Sequence, residues 1–83
     1  MPMKEVQIPI AEIYVPTKRR NEIQPDVVEA LAESILEEGL KMPIGVRRGN
    51  NRYVLVSGLQ RLEACRSLGE KTITAIIVAA PQR

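Results

Sequence analysis

The chain predicts a small α/β (α+β) domain, a mixed sheet backed by two main helices. Two stretches, residues 26–38 and 59–68, repeat apolar side chains at helical spacing. The segments around them are short, rich in Val, Ile and Thr, and bounded by Gly, Pro or Asn, as strands are. Apolar residues make up 45% of the sequence, yet Trp and Phe are absent and there are two Tyr, so the core must be aliphatic. The 83 residues leave room for one domain, 1–83 with a core of about 5–79, and a chain this short buries little surface on folding.

Val6-Gln7-Ile8-Pro9-Ile10 alternates apolar and polar until the proline, which confines it to a sheet edge or a strand end. Ile13-Tyr14-Val15 continues extended and Pro16 stops it, leaving Thr17–Gln24 as a basic loop. Pro25-Asp26 opens the first helix, with Asp26 as cap and Glu29 as its capping-box partner. Val28, Leu31, Ala32 and Ile35 form its apolar stripe, joined by Val27 and Leu36, and Gly39 ends it in a left-handed conformation. Met42–Arg47 reads as a strand beginning after Pro43, Gly49-Asn50-Asn51 as a hairpin turn, and Arg52–Val56 as the return strand. The second helix carries Leu59, Leu62, Cys65 and Leu68 on one stripe, with Ala64 beside it, and Gly69 terminates it. Thr72–Val78 is the last strand, and Pro81 closes the ordered chain. Parallel pairing of this strand with the one preceding the second helix would make a right-handed crossover unit.

Composition narrows the function classes. Twelve basic and ten acidic residues give a net charge of +2, too mild to indicate nucleic acid by itself. The basic residues cluster, however, at Lys18-Arg19-Arg20 and at Arg47, Arg48 and Arg52. These are the candidate nucleic-acid contacts; solubility of an exposed edge is the alternative for the hairpin arginines. With two aromatic residues there is no platform for stacking single-stranded bases. One cysteine excludes an internal disulfide, and with no histidine there is no serine-type triad and no sequence signature of a zinc site. Cys65 lies on the apolar stripe and reads as a core residue. No apolar run approaches the ~18 residues of a membrane span, and no signal-like segment opens the sequence, so the expectation is a cytoplasmic protein.

The informative junction is Val54-Leu55-Val56-Ser57-Gly58-Leu59-Gln60-Arg61, where a strand runs straight into a helix. First-turn amides have no partners within their helix and carry the positive end of its dipole, so an anion is favoured there. Gly58 lets a ligand approach the backbone. Arg61 opposes the dipole, at a cost of up to about 1 kcal/mol, unless a phosphate sits between it and the amides. Pairing of Arg61 with a carbonyl or carboxylate is the alternative. Ser34, late in the first helix, could contribute a hydroxyl or simply bond back to the preceding turn.

Leu31–Gly39, followed by Pro43-Ile44 and Val46-Arg47, resembles the first sequence box of ParB N-terminal domains. Tyr53–Ala64 resembles their second box, written Gly-Glu-Arg-Arg, and also the Gly-Cys-His-Arg turn of sulfiredoxin. The likeness covers roughly residues 5–79 and implies a ParB/sulfiredoxin-like fold. It implies in addition a nucleoside triphosphate, CTP or ATP with magnesium, held at Ser57, Gly58, Leu59, Gln60 and Arg61. Gly58 and Arg61 match both families, Ser34 matches a hydroxyl position on the first helix, and Arg20 matches an upstream arginine of ParB domains. Gly39 and Pro43 match the first-box turn near the phosphates. Leu59 and Gln60 replace the cysteine and histidine of sulfiredoxin, so sulfinic-acid reduction is not expected. The sequence shows no helix-turn-helix or dimerisation segment of the ParB kind.

Three functions follow as expectations. The first is a nucleotide- or phosphate-binding module, regulatory and without its own catalysis, working alone or with a protein partner supplied in trans. The second is a DNA-associated module, partition-type or weakly nucleolytic. The third is a small-molecule phosphotransferase, for which Glu63 is the nearest general base. Homodimerisation through an edge strand stays open.

Overall fold

In the computed structural model, which describes residues 4–78, the elements follow the sequence pattern with instructive exceptions. The expected core limit at residue 79 and the stop at Pro81 lie outside the described residues. Strand β1 (Glu5–Pro9) ends at its proline and gives way to a 3-10 turn, Ile10–Glu12. Strand β2 is only Ile13–Tyr14. The segment expected as a loop contains a one-turn helix, α1 (Thr17–Arg20). Pro16 fixes the entry, its carbonyl accepts from the Arg19 N–H at 2.9 Å, and Lys and Arg are good helix formers.

Helix α2 spans Pro25–Glu38, but its cap is not Asp26. Gln24 occupies the cap position and no side chain bonds to the first-turn amides. Pro25 takes the first helical position, which moves Asp26 into the first turn, where it complements the dipole instead. At the far end Gly39 has φ 81° and ψ 170°, a conformation essentially confined to glycine but not the left-handed helical one expected. Strands β3 (Ile44–Arg48) and β4 (Tyr53–Ser57) form the predicted antiparallel hairpin, closed by the Gly49 N–H to Arg52 carbonyl bond of 2.7 Å. Helix α3 is Leu59–Ser67 and strand β5 is Thr72–Ile77.

The sheet order is β1-β5-β3-β4-β2. Strand β1 is an edge strand, as its proline requires, and pairs antiparallel with β5. The expected parallel pairing of β5 with β4 does not occur: β5 runs parallel to β3. Both sides of β4 are already taken, one by its hairpin partner β3 and the other by β2, so the chain leaving α3 passes to the open side of β3. The sheet is mixed, as predicted.

One face of the sheet supplies Ile8, Ile44, Val46, Leu55, Ile73 and Ala75, and α3 lays Leu59, Leu62 and Cys65 onto them. The core is aliphatic apart from that thiol and half-buried Tyr53. Helix α3 packs on β3, and α2 packs on α3 from outside. Consequently α2 has no fully buried side chain; Ile35 reaches the core, whereas Leu36 is 75% exposed and does not belong to the buried stripe.

Leu62 is completely buried, so Leu62→Ala should cost about 2–5 kcal/mol in chemical denaturation, whereas Leu36→Gln should stay within about 0.5 kcal/mol of wild type.

Candidate functional site

Strand β4 ends against β3, where Ser57 pairs with Gly45 beside a register shift between Gly45 and Val46. The next residue, Gly58, adopts φ 95° and ψ 32° and caps α3 without any side-chain bond. Its carbonyl accepts from the Leu62 N–H at 2.9 Å, so the helix starts at full strength and the amides of Leu59, Gln60 and Arg61 precede the first internal bond. A Cβ at Gly58 would lie 2.8 Å from Ile44 Cγ2 and 2.9 Å from Arg61 Nη2. Both the backbone angle and the space therefore demand glycine here.

Arg61 folds back across this glycine. Its Nη2 donates to the Pro43 carbonyl at a long 3.4 Å, and its Nε is buried without a hydrogen-bond partner among the described residues. A guanidinium so weakly satisfied, at the positive end of a helix, is under-used by the protein itself. Beside it lies a cavity of about 190 Å³ whose lining includes Leu31, Ser34, Gly39, Lys41, Met42 and Arg61. The packing of α2 on α3 thus brings Ser34 and Gly39 to Arg61, which also meets Pro43 and Gly58.

The other expected site residues divide. Ser57 is exposed at the turn, and Leu59 buries its side chain in the core, leaving only backbone to offer. The Gln60 side chain turns away to the loop before α2, bonding Gln24 N–H at 2.9 Å and the Glu22 carbonyl at 2.8 Å. Arg20 is not at this cavity: its Nε donates to the Val15 carbonyl at 3.3 Å, and it lines a separate cavity of about 520 Å³ with Tyr14, Arg52, Glu63 and Arg66. Arg19 bonds the Val56 carbonyl at 2.9 Å and pairs with Glu22 at 3.2 Å, while Lys18 is exposed on α1. At the hairpin Arg52 stacks over Tyr14 at 3.9 Å and Arg48 over Tyr53 at 5.7 Å, and Arg47, just before Arg48, is half-buried.

Gly45 escaped the sequence reading. A Cβ there would lie 2.7 Å from Ser57 Oγ, so glycine makes room for the serine hydroxyl at the end of β4. A glycine inside an otherwise β-branched strand is the signal that marks such a close approach.

Fold and turn together define a class, the ParB/sulfiredoxin superfamily of small α/β domains. Within it the chain belongs to the ParB N-terminal domain family, whose model matches residues 2–83. It is 38% identical over 78 residues to a probable chromosome-partitioning protein ParB of Helicobacter pylori, covering 93% of this chain and 27% of that protein. Among solved structures it superposes on sulfiredoxin from Arabidopsis thaliana with a TM-score of 0.83 at 32% identity, covering 93% of this chain and 86% of the other. On the C-terminally truncated chromosome-partitioning protein ParB of Caulobacter crescentus, complexed with CTP-gamma-S, the TM-score is 0.80 at 26% identity, covering 95% and 46%. The chain spans about a quarter of the length of the curated relatives it matches.

Cys65 takes no part in the turn. It is 3% exposed, and burial, then the Glu70 carboxylate, push its thiol above the ordinary value. A raised pKa leaves stability intact below the unfolded thiol's value of about 8.5 and removes it as pH rises further. Wild type should therefore lose denaturation midpoint above about pH 8.5 more steeply than Cys65→Ala, and its thiol should react with a disulfide reagent only after denaturant is added.

Proposed function

We propose that this domain binds a nucleoside triphosphate through the Gly58–Arg61 turn and acts as a regulatory module without catalysis of its own, in a cytoplasmic setting. The observation that carries the reading is Arg61, folded over a left-handed glycine with its Nε buried and unpartnered beside the Ser34 cavity. Phosphate oxygens would accept from the amides of Leu59, Gln60 and Arg61 and from the guanidinium at once, giving Arg61 the partner that the protein withholds. The Ser34 hydroxyl, which lines that cavity, would add a neutral donor. The Caulobacter ParB relative, solved with a CTP analogue, supports CTP as the first candidate. Among the described residues no group of three or more His, Cys, Asp or Glu is placed to hold a metal, so magnesium would be carried by the phosphates.

Glu63, the base that a phosphotransferase would need, pairs with Arg66 at 3.4 Å and does not line the Ser34–Arg61 cavity. A DNA-associated role has better support, from the partitioning relatives and from guanidiniums braced on Tyr14 and Tyr53 at the hairpin. Among the described residues no helix is long and apolar enough to cross a membrane.

Calorimetric titration with CTP, ATP and GTP, with and without magnesium, tests the main reading, and no binding at millimolar concentration would end it. Arg61→Ala should weaken binding by about 1.5–3 kcal/mol, roughly ten- to hundredfold, and Gly58→Ala should do so with loss of fold stability as well. For DNA, a gel shift should weaken steeply between about 50 and 200 mM salt, and replacing Arg48 and Arg52 with Gln should flatten that slope. A shift insensitive to salt would exclude the electrostatic contact.

A further inference from the structure

Gln60 is the member of the turn whose polar side chain is bonded at both ends within the protein. Its Oε1 accepts from the Gln24 N–H at 2.9 Å and its Nε2 donates to the Glu22 carbonyl at 2.8 Å. Both bonds leave the first turn of α3 and end on the connector that leads into α2. The Gln24 amide belongs to the cap residue of α2, where the helix offers it no acceptor.

This bridge matters because of how α2 is held. None of its side chains is fully buried, whereas α3 buries Leu59, Leu62, Ala64 and Cys65, so α2 rests on α3 rather than on the sheet. Yet α2 carries Ser34, and Gly39 follows its last turn; these residues face Arg61 across the cavity. One wall of the candidate phosphate site is therefore a helix without a fully buried side chain, and the other is α3, anchored in the core by Leu59, Leu62 and Cys65. Gln60 joins the two walls. The Arg19 to Val56 carbonyl bond ties α1, which precedes that connector, to the strand end just before the turn.

We infer that Gln60 is a positioning residue of this site: its side-chain amide fixes the start of α2 against α3 and so sets the spacing of Ser34 and Gly39 from Arg61. The functional half of the inference rests on the phosphate reading of the turn. The residue type suits the task, since a primary amide offers an acceptor and a donor on one planar group to the two backbone partners. Its own backbone N–H lies among the free amides of the turn, so a ligand there and the start of α2 are linked through one residue.

Gln60→Met keeps the length of the side chain and removes both bonds. In the full chain without ligand, exchange of the Gln24 amide should rise at least about tenfold, and protection should fall along α2 as far as Ser34 while β3, β4 and α3 keep theirs. Affinity for CTP or ATP with magnesium should fall about three- to tenfold. Faster exchange at Gln24 alone, with α2 and affinity unchanged, would reduce Gln60 to a local bond and overturn the inference, as would unchanged exchange at Gln24. If wild type binds no nucleotide, the phosphate reading fails, and the ligand-free exchange pattern along α2 still decides the positioning role. Should Gln60→Met not fold, Gln60→Glu, which keeps the acceptor and loses the donor, decides on the same readout: protection kept at Gln24 but reduced along α2 is expected, and wild-type protection throughout overturns it.

Discussion

The close approach of Ile44 and Arg61 to the backbone of Gly58 ties the core of this domain to its surface chemistry. Ile44 is completely buried at the start of β3, and its methyl group stands where a side chain on residue 58 would have to be. Arg61 closes on the same vacancy from the helix side. The absence of one Cβ thus seats the hairpin under α3 and lays a guanidinium over the helix start. Packing and anion chemistry impose the same requirement at this position, so a variant that relaxes one disturbs the other.

The charge of the chain is nearly balanced, and the structure shows why its arginines nevertheless matter. Arg19 and Arg20 are spent on backbone carbonyls, anchoring α1 to the ends of β4 and β2. Arg66 is paired with Glu63. Arg48 and Arg52 rest on tyrosine rings, which hold a cation without neutralising it. Arg61 has only a stretched bond to Pro43. Charge that is positioned yet not neutralised is concentrated at the turn and at the hairpin, the two places where an external anion would gain most.

Much of this was legible in the sequence, for identifiable reasons. Helix and strand periodicity located both main helices and the hairpin, because aliphatic residues dominate the core and leave a clear pattern. The turn was legible because Gly58 and Arg61 each break a local rule, one of space and one of dipole. What sequence could not supply was long-range. That β5 would choose β3 over β4 depends on β2 having already occupied the far side of β4, a fact no local pattern carries. The Asp26 cap failed because Pro25 claims the first helical position and shifts the frame. The side-chain bonds of Gln60 were not legible, because their partners, Glu22 and Gln24, are distant in sequence and become neighbours only after α2 packs on α3.

The strand order has a consequence for how the chain is made. Strand β5 lies between β1 and β3, so within this sheet β1 must wait for β5, the last of the five strands described, before it finds a partner. Until then Val6 and Ile8 have no sheet to join, and the buried edge of β3 is open. Pairings of such large sequence separation form late and slow folding. Nascent β1 is therefore the segment with the longest unprotected interval, and Pro9, which forbids one ladder bond at its end, also limits how well that strand can pair with the wrong chain.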